Sequence, residues 1–461
     1  MKTRKILSII AVVAMLVVCF AGCGNNEEVA SDVTTISMWT NNSHSRTVME
    51  ELVKEFNEGQ GKELGIYFDY QVKEGDSFAK SLQLALQTGQ APDLLNGGSL
   101  AERVENGNIV PLEDMPGGKE LIEKFEGKFM MGTHTYKGKV YSLPAVVTTR
   151  GLVYNKDMFK AAGLVDENGE PTPPKTFKEL REYAKILTDE SKNQFGIIFP
   201  LKWSGWVGSD ITDLMLGNAG HYGFDPTTGT YDYSAIIPVI ETYQGIIADG
   251  SAYPGMQGID NDTARAYFSN GLVGMKFAYS FDVAVFNEQF PAQCDWGVAP
   301  LPVVDPEAQQ YKQFLSYAGT AQINKQAIEG KDPEKVMAVY KWLYSDEVRI
   351  RLYEAGVQIP EEWDLVKDVD TSKLLKGWAE FAQMTQISNK RNLMPNTDME
   401  GLATFAERIT DEVLSGKKTA SQMIEEYNRD ITAGTKKYYE IHTDESIDDY
   451  LDSSWNIKIE K

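Results

Sequence analysis

The chain has 461 residues, enough for two or three domains with sizeable cores, and its 67 acidic residues against 45 basic ones give a formal charge of −22. The acids are spread without long blocks. Such a surface repels phosphate backbones and anionic lipid heads, which excludes nucleic acid as a partner.

The N-terminus reads as a secretion signal. Lys2, Arg4 and Lys5 precede an apolar run from Ile6 to Phe20, and Ala21-Gly22-Cys23 closes it. The run is too short for a mature spanning helix, which needs about 20 residues. Small residues directly before a cysteine form a bacterial lipobox, so residues 1–22 are expected to be removed and Cys23 to carry the lipid. Residues 23–33 are polar and aperiodic, as a tether would be. Losing the signal takes away three basic and no acidic residues and leaves a charge of −25. Cys19 leaves with the signal, so Cys294 is the lone remaining thiol and no internal disulfide is expected. Its setting before an apolar stretch reads as a buried small residue, not a nucleophile.

Thr35 to Trp39 alternates like a strand, and after a polar break at Asn41 to Ser45, Val48, Leu52, Val53 and Phe56 recur at helical spacing. Ile66 to Val72 reads as a strand, Phe78 to Leu86 as a helix closed by Gly89, Pro92 to Leu95 as a short strand and Leu100 to Glu105 as a helix. This alternation predicts a mostly parallel sheet with helices on its faces. Ligands of such sheets bind beyond the carboxyl ends of the strands, which singles out the loops at Asn41 to Ser45 and Asn96 to Ser99.

The pattern restarts with strand-like Val140 to Pro144 and Gly151 to Tyr154, and Pro173-Pro174 marks a boundary. Thr176-Phe177-Lys178-Glu179 is a capping box that opens a helix through Leu187. Phe195 to Phe199 reads as a buried strand, and Asp225-Pro226-Thr227-Thr228-Gly229 as a turn whose acid spacing is wrong for a calcium loop. Gly297 to Pro302 and Phe314 to Ile323 are strand-rich, and from Pro333 the chain reads as nearly all helical.

Motifs for catalysis fail. His44, His134, His221 and His442 lie far apart, and none opens a zinc motif. Gly97-Gly98-Ser99-Leu100-Ala101 lacks the last glycine of a nucleophile elbow. Gly416-Lys417-Lys418 is no phosphate loop, and Gly59-Gln60-Gly61 precedes a strand instead of a helix. No catalytic residue, metal or cofactor is expected, although a carboxylate pair for glycoside hydrolysis stays open among so many acids. The amide-rich loops and the pair Trp203 and Trp206 fit sugar binding, in which rings take C–H faces and polar groups take hydroxyls. Trp342 and Trp378 have core spacing, and Trp39 fits either role.

Several segments then occur in a telling order: the lipobox, Gly89-Gln90-Ala91-Pro92-Asp93-Leu94, Tyr141-Ser142-Leu143-Pro144, Leu152 to Phe159, Pro174 to Leu180, Phe268 to Met275, and Trp296 to Pro302. The mature chain resembles the family 1 extracellular solute-binding lipoproteins of bacterial ABC sugar importers, the group that contains the maltose-binding protein. The resemblance implies a two-lobed α/β periplasmic-binding-protein fold of type II, each lobe a mostly parallel sheet flanked by helices. It implies lobe 1 from 34–147 plus 310–365 and lobe 2 from 148–309 plus 366–461, with crossings near 146–151, 302–314 and 359–369. It implies a carbohydrate, expected to be an oligosaccharide, held between the lobes and passed to a membrane permease. The expected protein is a monomer anchored by its lipid outside the cell membrane.

By the same resemblance, ligand contacts fall on Trp39, Asn41, Asn42, Ser43 and His44, and on Asn96 and Ser99. Thr148 stands where the maltose-binding protein carries an acid. Tyr279, Phe281 and Asp282 occupy a segment that commonly ends in a tryptophan, so Tyr279 or Phe281 takes the stacking role. Trp203 and Trp206 are expected in the cleft, and Met399 and Glu400 follow a late element, Leu393 to Asn396, that reaches it. The rival readings are a secreted glycoside hydrolase and a receptor for another solute such as a polyamine. The candidate loops hold mainly amides, hydroxyls and indole, which favours neutral sugar.

Overall fold

A computed structural model describes residues 33–73, 78–202, 211, 220–304, 313–317, 321–443 and 445–455. Two sheets organise them. In the first, strands Ile66–Val72, Thr34–Thr40 and Leu94–Asn96 run parallel, Ala321–Asn324 joins antiparallel to Leu94–Asn96, and Ile109–Val110, antiparallel to 321–324 in turn, runs with the first three. Helix Arg46–Glu58 buries Met49, Leu52, Val53 and Phe56, the i, i+3, i+4, i+7 set that faces a sheet. Trp342 packs its ring 4.7 Å from Phe56 and 5.9 Å from Phe68, in the core as its spacing indicates. This core draws on residues 36–145 and 321–352.

The second sheet is ordered Trp296–Ala299, Arg150–Asn155, Val273–Tyr279, Phe195–Ile197. Its central strand Arg150–Asn155 is antiparallel to both neighbours, and only the 273–279 and 195–197 pair is parallel. In each sheet a single strand, 321–324 or 150–155, runs against the rest, and the others share one direction, so both are mostly parallel by strand direction. The cause of the reversal is the path of the chain: strands 150–155 and 321–324 enter their sheets from the crossings, against the direction set by the strand–helix repeats. The capping box is formed as read, with the Thr176 hydroxyl accepting from Glu179 N at 3.0 Å and the Glu179 carboxylate accepting from Thr176 N at 3.1 Å. Past Pro333 the chain is less helical than its composition suggests. Short strands at Ile359–Pro360 and Ser388–Asn389 interrupt it, and residues 390–399 form no regular element. Trp378 is fully buried, and the half-buried Cys294 thiol is pushed up to about 11 by burial and then by Asp157, so it makes a poor nucleophile.

A third, small sheet joins the two halves. Val146–Thr148 lies at its centre, with Ser316–Tyr317 antiparallel on one side and Ile359–Pro360 on the other. His134 is buried against this sheet, its ring edge-on to Tyr317 at 4.6 Å. Its Nδ1 accepts from Met130 N at 3.0 Å while Nε2 has no hydrogen-bond partner, and burial, then the Lys390 charge, lowers its pKa to about 3. A histidine whose folded pKa is depressed adds stability above its unfolded value of about 6.5 and loses it as pH falls towards 3, since the unfolded chain binds the extra proton. The wild type should therefore lose on the order of 4 kcal/mol more than His134→Phe between pH 6.5 and 3, by denaturant titration at each pH. Parallel pH curves for the two proteins would place the titration elsewhere.

Candidate functional site

The carboxyl ends of strands 34–40 and 94–96 lie side by side on the first sheet. Trp39 is half-buried with the Lys73 ammonium 4.2 Å from its ring centroid. Asn41, Ser43 and His44 are exposed, and Asn42 is held by its backbone N–H donating to the Thr40 hydroxyl at 3.1 Å. Asn96 is buried at the end of its strand opposite Ala321. Gly97 and Gly98 follow with φ of 70° and 86°, values that favour glycine. Ser99 caps helix Leu100–Glu105 by accepting from Glu102 N at 3.2 Å. The second sheet contributes the carboxyl end of Val273–Tyr279, where the chain turns through Ser280 and Phe281.

These two sets of loops meet. The Tyr279 and Phe281 rings lie 5.1 Å apart with planes 10° from parallel, and His44, from the first sheet's loop, lies 6.2 Å from Phe281 at 11°. Two cations flank the column: the Arg150 guanidinium sits 4.7 Å from Tyr279 and that of Arg265 sits 5.7 Å from Phe281. Three near-parallel rings thus bridge the carboxyl edges of two sheets, where ligands of α/β folds bind. The turn is tied to the crossing strand as well, because Ser280 N donates to Thr149 O at 2.9 Å and the Thr149 hydroxyl donates to Phe381 O at 2.7 Å.

Asp282, expected among the ligand contacts, lies beneath the surface of the site. It has no exposed surface. Its carboxylate accepts from Arg265 Nε at 2.9 Å and from Arg265 Nη2, accepts from Tyr279 N at 3.2 Å, and lies 3.7 Å from the fully buried Lys276 ammonium. It fastens the turn that carries the rings. Thr148 is half-buried in the central crossing strand opposite Ser316. Met399 and Glu400 are not part of the ring column; they follow Asp398, which is tied to the C-terminal helix Ala420–Ile441 by its N–H donating to Gly434 O at 3.0 Å and its carboxylate pairing with Lys437 at 2.6 Å. Trp203, Trp206 and Cys23 lie outside the described residues. Sequence reading missed Arg150, Arg265 and Thr149, since nothing in a strand or helix pattern marks which cation will lie against a distant ring. Among the described residues no cluster of His, Cys, Asp or Glu could hold a metal, and no helix is long and apolar enough to cross a membrane.

A family model described as bacterial extracellular solute-binding protein matches residues 41–350. The galactooligosaccharide-binding protein of Bacillus subtilis is 22% identical over 437 residues, spanning 92% of this chain and 96% of that protein. The maltodextrin-binding protein MdxE of the same organism is 25% identical over 431 residues, spanning 88% and 92%. Among solved structures, the sugar-binding protein MalE of Xanthomonas citri superposes with a TM-score of 0.66 at 16% identity, over 90% of this chain and 100% of its own, which shows a shared two-domain fold.

Proposed function

The chain belongs to the family of bacterial extracellular solute-binding proteins, and from that premise we propose that it captures an oligosaccharide between its two lobes and delivers it to an ABC permease. One observation carries the carbohydrate reading: the column of His44, Phe281 and Tyr279, built from both sheets at the edge where ligands bind. Flat rings accept the C–H faces of a sugar, and Asn41, Asn42 and Ser43 beside them offer donors and acceptors for its hydroxyls. Lobe 1 comprises 34–147 and 310–365, and lobe 2 comprises 148–309 and 366–461. The three-stranded sheet around Val146–Thr148 serves as the hinge on which they close. Cys23 bears the lipid that keeps a monomeric receptor at the outer face of the cell membrane. It binds and does not turn over its ligand.

A thermal-shift screen with maltodextrins and galactooligosaccharides tests this. A sugar that binds only the native state adds RT ln(1 + [L]/Kd), about 2.7 kcal/mol at a hundredfold excess over Kd. The expected result is a raised melting temperature with at least one series and no hydrolysis product after long incubation. Product formation would make the protein a glycosidase, and no shift with any sugar would end the carbohydrate reading.

A further inference from the structure

A groove of about 530 Å³ opens on the first lobe between helices Phe78–Thr88 and Leu100–Glu105. It starts at Asn41 and Ser99, at the same carboxyl edge as His44, and runs away from the ring column towards Gln87 and Asn106. Lys80, Gln83 and Gln87 lie on one face of the first helix at i, i+3 and i+7 spacing. From Lys80 to Gln87 that face spans about 10 Å at 1.5 Å per residue, the length of a short run of sugar rings. Glu102 and Asn106 stand opposite, one turn apart.

The floor is shaped for close approach. Gly97 has nothing within 4 Å of where a Cβ would sit, so its backbone is bare to the groove. Gly98 is different: a Cβ there would come within 2.7 Å of Arg103 Nη2. Arg103 is itself buried and fixed by donating to Gln322 Oε1 at 2.6 Å. The walls are chemically mixed. Amides of Gln83, Gln87, Asn41 and Asn106 both donate and accept, as sugar hydroxyls do, and the charged groups are Lys80, the buried Arg103 and Glu102. Leu82 and Leu86 supply apolar surface between them. Amides and hydroxyls outnumber charges in this lining, which suits a polyhydroxylated chain.

Resting on the carbohydrate reading above, we infer that this groove is an outer arm of the binding site, and that the ligand is an oligosaccharide long enough to leave the interlobe cleft and lie along lobe 1. The arm sets preference for chain length, while the ring column sets the sugar held between the lobes.

The test uses the full-length mature protein and calorimetric titration with maltodextrins and galactooligosaccharides from two to seven units. In the wild type, affinity within the preferred series should rise at least tenfold from the shortest to the longest chain. The double variant Gln83→Ala, Gln87→Ala removes two exposed side chains from the helix surface and should lose that gain, while its Kd for the shortest binder stays within twofold of wild type. Affinity that does not depend on length, or a double variant that weakens short and long chains alike, overturns the arm and leaves the receptor reading intact. Failure of every chain to bind the wild type overturns the carbohydrate reading itself.

Discussion

Asp282→Ala is expected to cost the fold about 3–5 kcal/mol, because it removes the fully buried carboxylate that Lys276 and Arg265 share and leaves Arg265 with the largely exposed Asp262 at 2.6 Å. Lys276 has no exposed surface and Arg265 very little, so neither can turn to water without unpacking strand 273–279 or helix Asn261–Ser269. The Lys276 ammonium keeps its hydrogen bond to Phe277 O at 2.8 Å, but a carbonyl dipole does not balance a full charge. The variant also removes the carboxylate that accepts from Tyr279 N, which loosens the turn that aligns the rings. Equilibrium denaturation measures the first effect. Asp282→Asn, which keeps the shape and some of the hydrogen bonds, should fall between wild type and alanine. A loss below 1 kcal/mol in Asp282→Ala would mean that the cluster is solvated or re-paired in solution.

This residue also shows where sequence reading ends. Asp282 follows a run of aromatic and small residues at the end of a strand, and from that position a carboxylate reads equally well as a ligand contact or as a support. The difference depends on Arg265, seventeen positions away on another element, and on Lys276, which strand alternation places inside the sheet. Local rules did better. The capping box at Thr176 and Glu179, the amphipathic helix 46–58, and the strand, helix, strand, helix, strand order of residues 34–105 all rest on neighbours within one turn or one pairing, and each is seen in the structure. Strand direction was not legible for 150–155 and 321–324, because a strand's side-chain period is the same whichever way it runs. The loop at His44 was legible as a strand end, and Phe281 only through the family resemblance. That they would meet ring to ring across two sheets was not, since no spacing in the chain encodes a contact more than two hundred residues apart.

Phe281→Ala should be the most damaging change to binding among residues with exposed surface in the site. The ring is only part-buried, so truncation removes little core packing and the melting temperature should stay within a few degrees of the parent. What it removes is the middle of the column. Tyr279 backs one face of Phe281 and His44 approaches from the other lobe, so losing Phe281 both deletes a stacking surface and parts the two lobes' contributions. Aromatic hot spots of this kind are worth roughly 1–3 kcal/mol on truncation, which is about a tenfold to hundredfold rise in Kd. His44→Ala, at the edge of the column and exposed, should cost less. Since both side chains serve one stack, the double variant should fall short of the sum of the two single losses, the mark of residues in contact. Calorimetric titration with the sugar that gives the largest thermal shift measures all three. If Phe281→Ala binds that sugar within twofold of wild type, the column is packing between the lobes and the ligand is recognised elsewhere in the cleft.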